Sequence, residues 1–273
     1  MDSKEKIMLQ KEQETLLIPL FAKANGGVIF TDKKAAEILA GIDYPFSELN
    51  IPQKTSVTLL LRAAKLDEYT QDFILCNPDG LILHLGCGLD SRCVRVDRAN
   101  TFWVDLDMPD VIEIRRKFYS ENEKYQLIAS SVTDLSWLDK ITQPQKPVLI
   151  IAEGLLMYLH EENVRELFLA LIQKFSSACE IIFDAFSKYT VDRIKNHPSI
   201  KKTGAAIHWG IDDPHLIEQW DEGIIFKEEW FFSQSPLVSH LSPMYRFMFR
   251  LTDKIEIARR AQRILIYDLN QNH

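Results

Sequence analysis

Apolar and polar positions follow two different periodicities along the chain. Up to about residue 78 the apolar residues recur at helical spacing, most clearly over residues 33–41 and 55–75. Turn signals separate these stretches at residues 25–27, 44–45 and 77–78. We therefore expect residues 1–78 to form a helical cap.

The pattern changes between residues 79 and 186, where short apolar runs alternate with amphipathic segments. The expected strands are 81–85, 101–106, 125–129, 147–152 and 180–185, and the expected helices are 109–120 and 161–175. Such alternation is typical of an α/β protein with a parallel sheet covered by helices on both faces. An open sheet of this kind binds ligands at the carboxyl ends of its strands, so this part is expected to be the ligand-binding core.

The remaining segment, 187–273, changes character again. An acidic cap followed by Pro214 predicts a helix over 214–220, and an extended stretch over 224–232 precedes a helical segment near 243–252. A last strand is expected over 263–268, which makes an antiparallel hairpin at one edge of the sheet. No linker or repeat divides the chain, so residues 1–273 are predicted to form a single domain whose last part supplies a substrate or lid segment.

Charge and composition exclude several classes of protein. The 273 residues are 46% apolar and 26% charged, and 32 Lys and Arg against 39 Asp and Glu give a net charge of −7. An acidic chain without a basic cluster is not expected to bind nucleic acid. Its longest apolar run, 148–159, is too short to span a membrane, and charges from Asp2 to Glu14 leave no signal-peptide core. We therefore expect a cytoplasmic protein that neither spans nor binds a membrane.

Metal binding is also not expected. None of the four cysteines forms a C-x-x-C pair, and the seven histidines form no H-E-x-x-H pattern.

The glycine-rich stretch after the first predicted strand indicates the ligand. Gly86 and Gly88 allow a tight turn, but a dinucleotide-binding loop would continue to a small residue where this chain has Ser91, beside Asp90. A carboxylate at that position repels a diphosphate and tolerates a cation. S-adenosylmethionine carries an ammonium and a sulfonium but no phosphate. The loop therefore favours S-adenosylmethionine over NAD.

Three acidic residues lie at predicted strand ends. Asp105 and Asp107 share one face of the second strand, where either can accept hydrogen bonds from ribose hydroxyls. Asp107 is alternatively the N-cap of the following helix. Glu153, at the mouth of the fourth strand, requires a partner, which is either a ligand ammonium or an internal Arg or Lys.

Three motifs together resemble the leucine carboxyl methyltransferase family, which includes the tetracenomycin-type polyketide O-methyltransferases of bacteria. They are Leu-Gly-Cys-Gly-Leu-Asp-Ser-Arg at 85–92, Asp-Met-Pro at 107–109 and Ala-Glu-Gly-Leu-Leu-Met-Tyr-Leu at 152–159. The resemblance runs from about residue 31 to residue 214. It implies a Rossmann-like class I methyltransferase fold with seven strands. It also implies an enzyme that uses S-adenosylmethionine to methylate oxygen, typically of a carboxylate.

The resemblance also assigns roles to residues. It places Gly86 and Gly88 against the methionine part of the cofactor, Asp107 on the ribose and Glu153 at an acidic cofactor contact. Arg62 falls near an arginine that lies at the substrate end in relatives.

One position departs from the family pattern. Many relatives carry Asp-Leu beside the adenine, whereas this chain reads Ser131-Val132, with Asp134 further on. Either Ser131 or Asp134 is expected to contact the adenine.

A carboxylate acceptor needs little acid–base help, because it is ionised at neutral pH and positioning is the main task. We expect Arg62 to clamp that carboxylate in bidentate fashion, unless it pairs with Asp67 or Glu68 instead. Tyr158 is the second expected catalytic residue.

Tyr158, together with His208 and Trp209, either lines the acceptor pocket or packs in the core or lid. A phenolic acceptor would favour a general base, for which His208 and Tyr158 are candidates.

The sequence thus predicts an O-methyltransferase for the carboxylate of a small, polyketide-like molecule. The alternatives are a phenol or hydroxyl O-methyltransferase, a non-catalytic protein of the same fold, and a nicotinamide-dependent oxidoreductase, which Asp90 and Ser91 disfavour. The acceptor itself and the oligomeric state are not predicted.

Overall fold

A computed structural model describes residues 14–27, 29–49, 51–195 and 206–269. Its centre is a seven-stranded sheet in the order β3-β2-β1-β4-β5-β7-β6. Strands β1 to β5 are parallel to one another, and β7 pairs antiparallel with both β5 and β6. The predicted parallel sheet with an antiparallel edge pair is therefore confirmed, although β6 and β7 are joined by a long helical insertion rather than by a turn.

The strands lie close to their predicted positions. They are β1 (Leu81–Leu85), β2 (Phe102–Asp107), β3 (Tyr125–Ala129), β4 (Val148–Ala152), β5 (Cys179–Phe186), β6 (Ile224–Trp230) and β7 (Gln262–Leu269). Every residue of β1 and β4 is buried, as expected for central parallel strands that are covered on both faces. The expected extended stretch to residue 232 ends earlier, because a 3-10 helix begins at Phe232.

Nine α-helices are present among the described residues. They are α1 (Glu14–Ala24), α2 (Lys33–Gly41), α3 (Gln53–Cys76), α4 (Arg92–Arg95), α5 (Pro109–Arg115), α6 (Glu161–Lys174), α7 (Lys188–Lys195), α8 (Pro243–Asp253) and α9 (Glu256–Arg259). The expectation for the cap is confirmed over its described part, and residues 1–13 lie outside the described residues.

Two predicted helices differ from the structure. The expected helix 109–120 ends at Arg115, because i→i+3 hydrogen bonds of Lys117 and Phe118 tighten the chain into a turn. The segment Pro214–Trp220 forms a 3-10 helix, which Asp213 caps by accepting a hydrogen bond from the His215 amide.

The two faces of the sheet bury separate apolar cores. One core joins the cap to the sheet and to the insertion between β6 and β7, with Leu17, Ile38, Leu149 and Tyr245 among its residues. The other core packs α6 and the Pro214–Trp220 segment on the opposite face. Within the described ranges, no helix is both long and apolar enough to cross a membrane.

Candidate cofactor and acceptor site

The glycine loop after β1 requires its two glycines. Gly86 and Gly88 have φ angles of +63° and +50°, a region that side chains disfavour. A Cβ atom on Gly86 would lie 2.9 Å from Leu155 Cδ1, and one on Gly88 would lie 3.2 Å from Leu16 Cδ2. The backbone of the glycine loop therefore packs closely against the turn after β4 on one side and against helix α1 on the other, and side chains at these two positions would not fit without shifts of those neighbours.

Asp107 joins the glycine loop to the end of β2. Its Oδ2 accepts a hydrogen bond from the Gly88 amide at 2.7 Å, and its Oδ1 accepts one from the Met108 amide at 2.8 Å. Burial raises the pKa of Asp107 above its ordinary value. The N-cap interpretation of Asp107 is wrong, because the residue that precedes α5 is Met108.

Asp105 lies deeper on the same strand face. It is fully buried, and its Oδ2 accepts hydrogen bonds from Arg115 Nη2 and from the Tyr125 hydroxyl, both at 2.5 Å. Arg115 in turn donates to the carbonyls of Gly88 and Asp90 at 3.0 and 2.7 Å. Burial opposes ionisation, but Arg115, His84 and Tyr125 together outweigh it and hold the pKa of Asp105 well below its usual range. Through Arg115, Asp105 therefore stabilises the glycine loop from the protein interior. Asp107 is the more exposed of the two acids.

Three cationic side chains of the protein form ion pairs with Glu153. Its carboxylate accepts hydrogen bonds from Arg92 Nη2 at 2.6 Å, Arg62 Nε at 3.1 Å and Lys23 Nζ at 3.3 Å. Burial alone would raise the pKa of Glu153, but Lys23, Arg62 and Arg92 lower it to about 2. The sequence left two kinds of partner open for Glu153, a ligand ammonium or an internal Arg or Lys, and the structure shows internal Arg and Lys partners.

Lys23, on the last turn of α1, was not identified from the sequence. Its Nζ lies 2.5 Å from Asp90 Oδ2 in the glycine loop, and both side chains are buried. Burial raises the pKa of Asp90, but Arg95, Lys23 and Arg92 together hold it well below its ordinary value. A single lysine within the apolar stretch 16–24 was the available signal.

These side chains form one buried ion-pair cluster, which we call the edge network. Its members are Lys23, Arg62, Arg92, Arg95, Asp32, Asp67, Asp90, Glu153 and Asp184. Four cations and five carboxylates give it a formal charge of −1. S-adenosylmethionine, with an ammonium, a sulfonium and a carboxylate, carries +1, so the charge and donor set of this edge fit that cofactor.

Arg62 reaches the site from α3. Its Nε donates to Glu153 and its Nη1 donates to Asp184 Oδ2 at 2.7 Å. The expected alternative pairing with Asp67 or Glu68 is wrong, because both of those carboxylates pair with other cations. Arg62 therefore lies between the acid that ends β4 and an acid near the end of β5.

Asp184 is a second site residue that sequence reasoning missed. It is fully buried, and its Oδ1 accepts a hydrogen bond from the Gly154 amide at 2.6 Å. Its Oδ2 also accepts one from Gln262 Nε2 at 3.0 Å. The signal was a carboxylate inside the apolar run of β5, but that run alone does not indicate which cation reaches it.

The aromatic candidates separate into different environments. Tyr158 is 40% exposed at the end of a 3-10 turn, and burial of its hydroxyl raises its pKa. It is therefore protonated at neutral pH and suited to donate a hydrogen bond rather than to act as a base. Trp209 is buried against Phe183 and Trp220, so the core-packing alternative is the right one for Trp209.

His208 is exposed and lies beside the turn that carries Tyr158. Its amide donates to the Met157 carbonyl at 2.8 Å, and its ring lies 4.1 Å from the ring of His160.

The segment after β3 contains the expected adenine contacts. Ser131 Oγ lies 2.8 Å from Thr133 Oγ1, and Val132 is buried. Asp134 is exposed and caps a 3-10 helix by accepting from the Ser136 amide at 3.2 Å. Of the two polar candidates, Asp134 already has a structural role at the surface.

Comparison with known proteins gives the family. The sequence profile of the leucine carboxyl methyltransferase family matches residues 17–172. The tetracenomycin polyketide synthesis O-methyltransferase TcmP of Streptomyces glaucescens is 36% identical over 96% of this chain and 98% of its own length. The S-adenosyl-L-methionine-dependent methyltransferase dpfgK of Gibberella zeae is 32% identical over 84% of this chain and 85% of its own length.

Solved structures show the same fold at low identity. A DUF574 family protein from Streptomyces avermitilis superposes with a TM-score of 0.61 at 11% identity, covering 94% of this chain and 99% of that one. The plantazolicin methyltransferase BpumL, solved with a desmethylPZN analogue and SAH, superposes with a TM-score of 0.50 at 15% identity, and the alignment covers 95% of this chain and 100% of that one. The sheet is therefore that of a class I methyltransferase, as predicted. The profile match and the two long alignments place the chain in the leucine carboxyl methyltransferase family, as an S-adenosylmethionine-dependent O-methyltransferase.

Proposed function

We propose that the acceptor is a small, polyketide-like molecule and that the methylated oxygen belongs to its carboxylate. The observation that carries this proposal is the position of Arg62, which contacts the ends of two adjacent strands, through Glu153 on one side and Asp184 on the other. Because Nε and Nη1 already donate to these two carboxylates, Nη2 is the nitrogen that would donate to an acceptor carboxylate, and the expected bidentate clamp is reduced to a single contact. The printed name of the Streptomyces relative supports the polyketide class.

Residues at the carboxyl ends of β1, β2 and β3 would hold the cofactor. Gly86 and Gly88 would receive its methionine part, and Asp107 would accept hydrogen bonds from the ribose, since Asp105 is committed to Arg115. Ser131 and Val132 would contact the adenine, because Asp134 serves as a helix cap. The cofactor supplies an electrophilic methyl group on its sulfonium.

Glu153 and Asp90 would hold the cofactor ammonium. Their carboxylates already accept a hydrogen bond from an ammonium, that of Lys23. An ammonium of the ligand can use the same oxygens.

The acceptor would lie beside Arg62 and Tyr158. Arg62 would orient the carboxylate, and the Tyr158 hydroxyl, which like any tyrosine hydroxyl is protonated at neutral pH, would donate a second hydrogen bond. Neither group needs to remove a proton, because the acceptor carboxylate is already ionised at neutral pH. Orientation and exclusion of water are the protein's contributions.

Hydroxyl methylation is the second candidate function. The exposed ring of His208 beside the Tyr158 turn favours it, since an imidazole is a suitable base for a phenol. In this case His208→Gln would reduce transfer to the phenol and leave transfer to a carboxylate unchanged.

Two matched probes distinguish the candidates. Naphthalene-2-carboxylic acid and naphthalen-2-ol differ only in the acceptor group, and each is incubated with methyl-labelled S-adenosylmethionine. A methyl ester releases labelled methanol in alkali, whereas a methyl ether does not. We expect alkali-labile label from the acid, lost in Arg62→Ala and retained in the control variant Lys65→Ala on the same helix. Label that enters only the naphthol, as an ether, would refute the carboxylate proposal.

We also infer that the described parts of the cap, the sheet and the insertion belong to one domain, because one apolar core contains residues of all three. A cytoplasmic location stays a prediction.

A further inference from the structure

Helix α5 holds one residue of the glycine loop from both of its ends. Asp107, which ends β2 just before this helix, accepts a hydrogen bond from the Gly88 amide at 2.7 Å. Arg115, the last residue of the helix, donates through Nη1 to the Gly88 carbonyl at 3.0 Å and to the Asp90 carbonyl at 2.7 Å. One short helix therefore sets the position of the loop relative to the edge of the sheet.

The surroundings of Arg115 fix the direction of its guanidinium. The side chain is fully buried, and its Nε and Nη2 both donate to Asp105 Oδ2. The guanidinium lies 4.1 Å from the centre of the Tyr119 ring, whose hydroxyl adds a second donor to the Asp90 carbonyl at 3.2 Å. Because a guanidinium is planar and its donors form a rigid fork, a carboxylate on one side of it determines where Nη1 points. Nη1 is thus held towards the loop.

The two carbonyl contacts also determine which way the neighbouring amides point. The peptide bonds of the described residues are trans, and in a trans peptide the C=O and N–H groups point in opposite directions. The carbonyls of Gly88 and Asp90 point towards Arg115. The amides that follow them, those of Leu89 and Ser91, therefore point to the opposite side of the loop.

The Leu89 amide is a donor that the protein does not use. Among the residues that the structure describes it has no hydrogen-bond acceptor, although Leu89 is only 3% exposed. A buried amide without an acceptor is costly and rare in folded proteins, unless a ligand or water completes it. This amide is therefore suited to donate to a ligand at the loop.

We propose that Arg115 is a positioning residue for the cofactor, which directs the amides of Leu89 and Ser91 towards the methionine part of S-adenosylmethionine. This inference rests on the proposed placement of that part at Gly86 and Gly88. Arg115 does not contact the cofactor itself, because it is fully buried and all three of its nitrogens donate to protein acceptors. It fixes the donors before the ligand arrives, which lowers the cost of ordering the loop on binding.

Arg115 also stabilises the fold through Asp105, so its effect on the cofactor has to be separated from its effect on stability. The double variant Asp105→Leu/Arg115→Met buries no charge and should recover much of the stability that Arg115→Met loses. It does not restore the donor to the Gly88 carbonyl. We therefore expect its Kd for S-adenosylhomocysteine to stay at least about 10-fold above that of the wild type, which is the effect of losing one hydrogen bond to a charged ligand group. A role confined to stability predicts instead that the Kd recovers together with the melting temperature.

Two further variants complete the comparison. Arg115→Lys keeps a positive charge opposite Asp105 but lacks the fork that reaches this acid and both loop carbonyls at once, so its Kd should rise about 5-fold or more. Arg116→Met is the matched control, because Arg116 is the next residue along the chain but is half-exposed and pairs with Glu121. Its Kd should stay within about twofold of the wild-type value.

The experiment uses the full-length wild type and these three variants. Calorimetric titration of S-adenosylhomocysteine gives the Kd, and thermal unfolding gives the stability of each protein. Hydrogen exchange of residues 86–92 with saturating ligand gives a local readout, and we expect weaker protection in Arg115→Lys than in the wild type or in Arg116→Met. A Kd within about twofold of the wild type in either Arg115 variant, or equal protection of this segment, would overturn the inference. If the double variant does not fold, Arg115→Lys alone decides.

Failure of the proposed cofactor placement has a different signature. In that case Asp107→Asn binds S-adenosylhomocysteine as tightly as the wild type does. If Asp107→Asn loses affinity while Arg115→Lys does not, the cofactor placement stands and the inference about Arg115 alone is wrong.

Discussion

Lys23 and Asp90 form a buried ion pair with an Nζ to Oδ2 distance of 2.5 Å, which joins the first helix of the cap to the glycine loop. Lys23 also reaches Glu153 at the end of β4. Helix α1 is therefore held by ion pairs to the loop after β1 and to the end of β4, where we propose that the cofactor binds, and Leu16 lies close to Gly88 as well.

Lys23→Met should lower the free energy of unfolding by about 2 kcal/mol. Removing one partner of a buried pair leaves charge uncompensated, but Asp90 and Glu153 keep Arg92 as a partner, so the loss is below the full cost of an orphaned ion. Urea unfolding monitored by circular dichroism measures the change. Lys33→Met, at an exposed position on α2, should stay within about 0.5 kcal/mol of the wild type. Equal losses in both variants would show that the pair contributes nothing.

This pair also marks a limit of sequence reasoning. The helical spacing in the cap is a local property, and it predicted α2 to the residue. Lys23 and Asp90 are 67 residues apart, and Lys23 and Glu153 are 130 apart. Which buried cation meets which buried carboxylate depends on how helices cross the sheet, and no local pattern carries that information.

Gly86→Ala should destabilise the protein more than Gly27→Ala. Both residues have positive φ angles, +63° and +59°, so both variants lose roughly 1 kcal/mol to backbone strain. Only at Gly86 does the new Cβ meet a neighbour, Leu155 Cδ1 at 2.9 Å, whereas nothing lies within 4 Å at Gly27.

Thermal unfolding compares the two glycine variants directly, and calorimetry with S-adenosylmethionine shows whether cofactor binding is lost. Binding of S-adenosylmethionine should be lost in Gly86→Ala and retained in Gly27→Ala. Indistinguishable melting temperatures would contradict the tight contact between the glycine loop and the turn after β4.

Arg115→Met should cost about 3–5 kcal/mol of unfolding free energy, because it leaves the Asp105 carboxylate buried without its cation. The adjacent Arg116→Met removes a half-exposed pair with Glu121 and should cost at most about 1 kcal/mol. Adding Asp105→Leu to Arg115→Met should restore much of the loss, since the double variant buries no charge. A double variant as unstable as Arg115→Met would instead assign the loss to the two carbonyl hydrogen bonds of Arg115.

Acid should weaken the edge network through Glu153. Its folded-state pKa of about 2 lies below the ordinary value of 4.5, so its ionised form stabilises the fold at neutral pH. That contribution is complete above about pH 5 and is lost as the pH falls towards 2. We expect the unfolding free energy of the wild type to fall more steeply between pH 5 and 3 than that of Glu153→Gln. Parallel curves for the two proteins would contradict the assigned charge state.

The fold was more predictable than the site. Strands β1 and β3 have the predicted bounds, because a buried parallel strand is a short apolar run between turn residues. Gly86, Gly88, Asp107 and Glu153 were singled out from the sequence because each lies at or shortly after the end of a predicted strand. Asp184 was not singled out, since one carboxylate in an apolar run of β5 does not reveal that Arg62 of α3 reaches it.

Calorimetric titration of S-adenosylmethionine and of S-adenosylhomocysteine into wild type, Asp107→Asn and Asp134→Asn tests the central claim most directly. Asp107 lies at the glycine loop, whereas Asp134 caps an exposed 3-10 helix. We predict a measurable Kd for the wild type, a loss of at least about 10-fold in Asp107→Asn, and little change in Asp134→Asn. Equal affinities in all three proteins, or loss in Asp134→Asn alone, would contradict the placement of the cofactor at the loop between β1 and β2.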